Sequence, residues 1–221
     1  MSRRIIGGAF VSVDGVMQAP GGPEEDPTGG FPFGGWLAPL GDEGLGSQIE
    51  SLFSKPFDLL LGRRTYDIFA AYWPFASPED PIAALFARVG KHVLTRSDAP
   101  LEWQGSRRLD GLEALAALKA QDGPDLVIQG SATLYPQLIE HKLLDRLVLM
   151  TAPLLLGRGK RLFGEGGAPS GLKLVEHRVT QNGIAMATYD VGGEVETGSF
   201  AEQEPSAPER VRRERMSRGD W

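Results

Sequence analysis

Phe57-Asp58-Leu59-Leu60-Leu61 runs directly into Gly62-Arg63-Arg64-Thr65-Tyr66, and this junction decides how the rest of the chain is read. A short, nearly continuous apolar run is the pattern of a strand covered on both faces, as in a parallel sheet. The glycine lets the backbone turn, and a helix that starts there leaves free N–H groups able to bind an anion. Arg63 and Arg64 add charge and the bidentate geometry suited to phosphate. In an open α/β sheet, ligands bind at the carboxyl ends of the strands, which is where such a junction lies.

Two further junctions repeat the pattern. Val93-Leu94-Thr95-Arg96-Ser97 ends a strand in two hydroxyls and a guanidinium, and Val127-Ile128-Gln129-Gly130-Ser131-Ala132-Thr133-Leu134 is another strand, glycine and hydroxyl-bearing helix start. Any one of them is ordinary capping chemistry. Three together, two carrying arginines, point to a phosphate-rich ligand such as a dinucleotide.

Outward from these junctions the chain alternates strand and helix. Strands are expected over 4–13, 57–61, 91–95, 125–129 and 146–156. Helices are expected from 46 to Pro56, from 62 through 71 with Trp73-Pro74 as the stop, and over 82–89, 112–118 and 132–140. The last pair, 172–180 and 184–191, flanks Gln181-Asn182-Gly183, whose Asn-Gly is a strong hairpin signal. The expected class is therefore α/β, a mainly parallel mixed sheet closed at one edge by an antiparallel hairpin. One domain spans 1–191. Residues 192–221, with seven acids and five arginines and little apolar content, read as a solvated tail with a helix over 209–218.

Among 221 residues there are 29 Gly and 16 Pro, and nine of the Gly and five of the Pro fall between Ala19 and Ser47. No packed element carries that composition, and connections beyond about 12–15 residues are usually functional or disordered. Phe31, Phe33, Trp36 and Leu37 are untypical of a disordered linker. Residues 19–47 thus read as a lid-like insertion, whose aromatics either wall a substrate pocket or pack the loop onto its own domain.

Composition also excludes classes of function. Without cysteine there is no disulfide framework, thiolate metal site or Cys nucleophile, and a cytoplasmic setting is expected. Apolar runs such as 147–156 are too short to cross a bilayer, the N-terminus does not resemble a signal peptide, and a net charge of −6 without a basic patch argues against nucleic acid. G-x-G-x-x-G, the P-loop motif and G-x-S-x-G are absent. His92, His141 and His177 lack ligand spacing, so no metal site is expected.

Four motifs in order carry a resemblance: Val11-Ser12-Val13-Asp14-Gly15, Gly62-Arg63-Arg64-Thr65-Tyr66, Gln129-Gly130-Ser131 with Leu134, and the run from Ala152 through Gly157-Arg158-Gly159-Lys160-Arg161 to Phe163. Over about residues 4–191 the chain resembles the dihydrofolate-reductase-like superfamily, and within it proteins similar to the C-terminal reductase domain of bacterial riboflavin biosynthesis. The resemblance implies a three-layer α/β/α domain, NADPH as cofactor, a small-molecule substrate and a homodimer. By position, Gly62, Arg63, Arg64 and Thr65 match the segment that holds the cofactor's phosphates. Thr95, Arg96 and Ser97 match the loop beside the adenosine 2′-phosphate, and Gln129, Gly130, Ser131, Ala132, Thr133 and Leu134 the turn over pyrophosphate and nicotinamide. The one departure is Gln129-Gly130, standing where the classical reductases have Gly-Gly with a cis peptide.

The same resemblance makes the loop after Asp14-Gly15 the segment that closes over nicotinamide and substrate, with Asp14, Met17, Gln18, Phe33 and Trp36 as candidate substrate residues. No catalytic acid is named, because Asp42, Glu43 and Glu50 fall in no suitable register. The implied activity is reduction of a small heterocyclic or carbonyl substrate by hydride from NADPH. The alternatives are the reduction of a phosphoribosylaminopyrimidine in riboflavin biosynthesis, for which Arg158, Lys160 and Arg161 could hold the substrate's phosphate, and a non-catalytic nucleotide-binding protein of the same fold.

Overall fold

A computed structural model describes residues 2–164, 167–200 and 203–220. One sheet of eight strands organises them: β1 (Ile5–Ser12), β2 (Phe57–Gly62), β3 (Lys91–Leu94), β4 (Ser106–Leu109), β5 (Asp125–Gln129), β6 (Arg146–Ala152), β7 (Leu172–Val179) and β8 (Ala185–Val191). Their order is β4-β3-β2-β5-β1-β6-β8-β7. Pairing is parallel from β4 to β6, and β8 and β7 then add antiparallel. The helices are α1 (Glu43–Leu52), α2 (Arg63–Tyr72), α3 (Pro81–Arg88), α4 (Gly111–Ala120), α5 (Leu134–Glu140) and α6 (Ala207–Ser217).

Side chains alternate along β1 and so reach two cores. Ile5, Ala9 and Val11 join Leu60, Ile128 and Leu147 beneath α4 and α5, where Leu115, Leu134, Tyr135 and Leu138 meet them. On the opposite face two clusters lie side by side. Trp36, Leu37, Leu45, Met150 and Met186 cover β6 and β8, and Phe57, Leu59, Tyr66, Phe86 and Trp103 cover β2 and β3. Gly7 and Gly8 in β1 allow this three-layer packing. A Cβ on Gly7 would stand 2.4 Å from the Tyr135 ring, and one on Gly8 would stand 2.5 Å from Leu52 of α1.

The structure differs from the sequence expectation in identifiable places. β4, Ser-Arg-Arg-Leu, is an edge strand with two exposed arginines and so lacks an apolar run to betray it. The first helix begins at Glu43 instead of 46, because the Asp42 carboxylate accepts the Leu45 N–H at 2.8 Å and caps it. β6 stops at Ala152, ahead of Pro153, instead of reaching 156. α5 starts at Leu134, two residues later than its pattern, since Gly130 and Ser131 are both left-handed. No cis peptide occurs among the described residues, so Gln129–Gly130 is trans. The tail helix α6 buries no residue and is held by Ser206 at its N-cap and by Glu209 paired to Arg212 and Arg213.

Candidate active site

The carboxyl ends of β2 and β3 and the start of α5 after β5 open onto one cleft of about 1070 Å³. Gly62, Arg63 and Arg64 line it from the start of α2, Thr95 and Arg96 from the end of β3, and Thr133 and Leu134 from the start of α5. Leu94, Leu112, Ala116 and Leu143 give it an apolar component. Two of the three junctions, up to 69 residues apart, are physically joined: Gly62 N–H donates to Ser131 Oγ at 2.9 Å, and Ser131 N–H donates to Thr65 Oγ1 at 2.9 Å. No side chain caps α2, whose first turn faces the cleft through Arg63 and Arg64.

This clasp holds a strained turn. Gly130 has φ 73° and Ser131 φ 56°, and a non-glycine residue in that region costs on the order of 1–3 kcal/mol. A side chain at Gly130 would also bring a Cβ to 2.9 Å from Thr65 Cγ2. Next to the turn, the Gln129 side-chain Oε1 is buried and accepts no hydrogen bond. Gln129 does not line the cleft, so this acceptor lies beneath the turn and is not open to a ligand there.

The arginines divide into two kinds. Arg63 is committed to the protein: its Nε lies 2.9 Å from Asp67, its Nη1 donates to the Ala99 carbonyl at 2.9 Å, and its guanidinium sits 5.7 Å from the Tyr66 ring centre. Arg64 and Arg96 are exposed at the cleft and have no ion-pair or hydrogen-bond partner among the described residues. Thr95 and Ser97 shape the turn between them, Thr95 Oγ1 accepting from Ser97 N–H and Ser97 Oγ from Ala99 N–H. Ala132 packs on the core beneath α5.

The substrate-side residues do not gather on this cleft. The Asp14 carboxylate accepts from Ser12 Oγ at 2.6 Å, Leu156 N–H at 3.1 Å and Gly157 N–H at 2.9 Å. The Ser12 bond leads the causes that hold its pKa at about 2. Gln18 is a buried hub: Nε2 donates to the Asp26 and Thr28 carbonyls at 2.9 Å each, and Oε1 accepts from Lys160 N–H at 3.0 Å. Trp36 is buried, with Nε1 donating to the Gln18 carbonyl at 2.8 Å, and Met17 joins the same core as Leu134. Phe33 is exposed and meets Phe31 edge-on at 5.8 Å. Of the two readings of the aromatics, the packed one holds for Phe31 and Trp36.

Lys160 pairs with Asp26 and Thr28, and Arg161 with Asp14, so both tie the 157–161 turn to the loop. Asp42 caps α1 and also accepts from Asn182 N–H at 2.9 Å, while Glu43 and Glu50 are exposed. Cleft residues that sequence reasoning missed include Asp67, Leu112, Glu113, Gln137, His141 and Leu143. Leu112 had a signal, the helical apolar face, but that face reads equally well as core. Among the described residues no cluster could hold a metal and no helix is long and apolar enough to cross a membrane.

An eight-stranded mixed sheet with an antiparallel edge and a cleft across the ends of β2, β3 and β5 defines an α/β domain of the dihydrofolate-reductase-like fold class. Within that class the chain belongs to the RibD C-terminal domain family, which it matches over residues 3–186. It is 28% identical over 199 residues to YyaP of Bacillus subtilis (strain 168), an uncharacterized protein, covering 86% of this chain and 96% of that one. Its fold is similar to a pyrimidine reductase-like protein of Corynebacterium diphtheriae, with TM-score 0.56 and 16% identity, covering 87% of this chain and 93% of the other. It is also similar to dihydrofolate reductase of Enterococcus faecalis complexed with NADP(H), with TM-score 0.53 and 16% identity over 87% of this chain and all of that one.

Proposed function

We propose that the protein is an NADPH-dependent reductase of a small heterocyclic or carbonyl compound. The observation that carries this reading is the pair of arginines, Arg64 and Arg96, without a side-chain partner among the described residues, beside the start of α2 on a cleft of dinucleotide size. The solved relative that is complexed with NADP(H) has the same fold and adds support.

The residues fit that cofactor. The first turn of α2 and the Gly130-Ser131 turn would hold its phosphates, and the guanidiniums of Arg64 and Arg96 the 2′-phosphate. When bound, NADPH supplies hydride to an acceptor carbon. Around it, the chain's own residues orient: the Gly62–Ser131–Thr65 clasp fixes the turn, while Gln18, Trp36 and Lys160 pin the 19–47 loop, which lines no part of the cleft. The phosphoribosylaminopyrimidine alternative draws support from the family match, but Lys160 and Arg161 are engaged with Asp26, Thr28 and Asp14, which among the described residues leaves Arg158 of the three without a side-chain partner.

The test is to titrate the protein with NADPH and then follow NADPH oxidation against a panel of pterins, pyrimidines and carbonyl compounds. Turnover of at least one unphosphorylated member is expected. Tight NADPH binding with no turnover across the panel would favour the non-catalytic reading instead, and absence of binding would overturn both.

A further inference from the structure

At the opposite, amino-terminal end of the sheet lies a second cavity of about 500 Å³ that the reductase reading does not use. Asp58, His92 and Arg107 project into it from β2, β3 and β4. His92 and Arg107 are register neighbours, which places them on one face of the sheet. Arg3 enters from the segment before β1, Arg88 from the last turn of α3, and Gln104 and Gln121 complete the polar lining. Three arginines face one aspartate. The Asp58 carboxylate is shared by Arg3 Nη1 at 2.8 Å and His92 Nε2 at 3.2 Å, so one acid is already occupied by two basic partners.

What remains is an excess of donors. Arg88 and Arg107 are exposed, and their side chains have no hydrogen bond or ion pair among the described residues. Arg3 Nε is buried without a partner, although the same guanidinium is held through Nη1. A buried guanidinium donor without an acceptor is a position that a structure of this kind normally fills. Two exposed guanidiniums at the rim of the same cavity supply the forked geometry that binds an oxyanion in two places at once. The carboxyl-terminal ends of α3 and α4 also border the cavity and oppose an anion, but their field is confined to a last turn, whereas the arginines carry whole charges.

We propose that this cavity is a second ligand site, for a small phosphate-bearing molecule, held by Arg88 and Arg107 at the rim and by Arg3 within. It is separate from the reductase cleft: Asp58 lines one and Gly62 the other, about 13 Å apart along the same strand. The proposal does not depend on the reductase reading, because neither NADPH nor turnover enters its test.

The experiment is isothermal titration of the full chain with inorganic phosphate, comparing the wild type, an Arg88→Ala/Arg107→Ala variant, an Arg88→Lys/Arg107→Lys variant and an Arg64→Ala/Arg96→Ala variant. The expected result is saturable binding with a Kd of roughly 1 mM or tighter in the wild type and about tenfold weaker binding in the alanine pair at this end. The lysine pair should fall between them, and the Arg64/Arg96 pair, which removes the cleft's own phosphate contacts, should keep the binding component that the Arg88/Arg107 substitutions abolish. Thermal unfolding of the Arg88/Arg107 variants should be unchanged, since neither side chain is buried or bonded. Absence of saturable binding, insensitivity to the Arg88/Arg107 substitutions, or loss of the Arg88/Arg107-dependent component in the Arg64/Arg96 pair would each overturn the proposal.

Discussion

Gly130→Ala should damage both the stability and the cofactor site of this protein, and the size of the effect can be worked from the local geometry. Gly130 sits at φ 73°, where an L side chain costs about 1–2 kcal/mol. Its new Cβ would stand 2.9 Å from Thr65 Cγ2 and 3.1 Å from Thr65 Oγ1, the atom that accepts the Ser131 N–H. Moving Thr65 aside to relieve the contact weakens that hydrogen bond, worth about 0.5–1.5 kcal/mol. The sum is roughly 2–3 kcal/mol, which for a chain of this size lowers Tm by about 5–10 °C. Because the displaced turn is the one assigned to the cofactor, NADPH affinity should fall roughly tenfold as well, the equivalent of about 1.4 kcal/mol. Gly62→Ala is the control. Gly62 has φ −78°, and its Cβ would meet Ser131 Oγ at an ordinary 3.6 Å, so its Tm should stay close to that of the wild type. Thermal unfolding followed by circular dichroism, with a fluorescence titration of NADPH, reads both quantities. A Gly130→Ala protein that melts with the wild type and binds NADPH equally well would refute the clasp, as would a Gly62→Ala protein less stable than Gly130→Ala.

Other expectations follow from the same contacts. Gly7→Ala forces a methyl to 2.4 Å from the buried Tyr135 ring and should cost about 1–3 kcal/mol by denaturant titration, since the layers cannot part without loss elsewhere. Trp36→Ala removes a buried indole and its bond to the Gln18 carbonyl. About 3–5 kcal/mol of destabilisation is expected, together with faster proteolysis within 19–47, whereas Phe33→Ala, at an exposed position, should change little. Asp58 and Asp14 are both held at about 2 against an ordinary 3.8, the first chiefly by His92 and then Arg3, the second chiefly by Ser12. A depressed folded-state pKa contributes stability that is present above the ordinary value and lost as pH falls through the folded one. Acid unfolding should therefore steepen between about pH 4 and pH 2, and Asp58→Asn should flatten that limb.

How far the sequence speaks depends on whether a residue's role is local. The run from Phe57 to Tyr66 contains its own strand, turn and helix start, and β2, α2 and the cleft fall where that run places them. The Asn182-Gly183 turn likewise brings β7 and β8 together as a hairpin. β4 is legible only by its neighbours: Ser106-Arg107-Arg108-Leu109 has no strand pattern and pairs because β3 offers it an edge. The distinction between Arg63 and Arg64 is equally invisible in the chain, since both follow Gly62. It arises because Asp67 lies one helical turn from Arg63 and Ala99 comes within reach from another loop. The insertion shows the same limit. Its aromatics signal that it is ordered, but whether they face a ligand or a core is decided by Gln18, Asp26 and Lys160, which meet across more than 130 residues.

The central claim, that the cleft is built for a 2′-phosphorylated dinucleotide through Arg64 and Arg96, is tested most directly by measuring NADPH and NADH affinities side by side. The comparison covers the wild type, Arg63→Ala and Arg64→Ala/Arg96→Ala. The wild type should favour NADPH by about tenfold or more, in keeping with charge-assisted bonds of about 1.5–3 kcal/mol each. That preference should vanish in the double variant, while Arg63→Ala, which loosens the scaffold, should weaken both cofactors alike. Equal affinities for the two cofactors in the wild type, or a preference that survives the loss of Arg64 and Arg96, would contradict it.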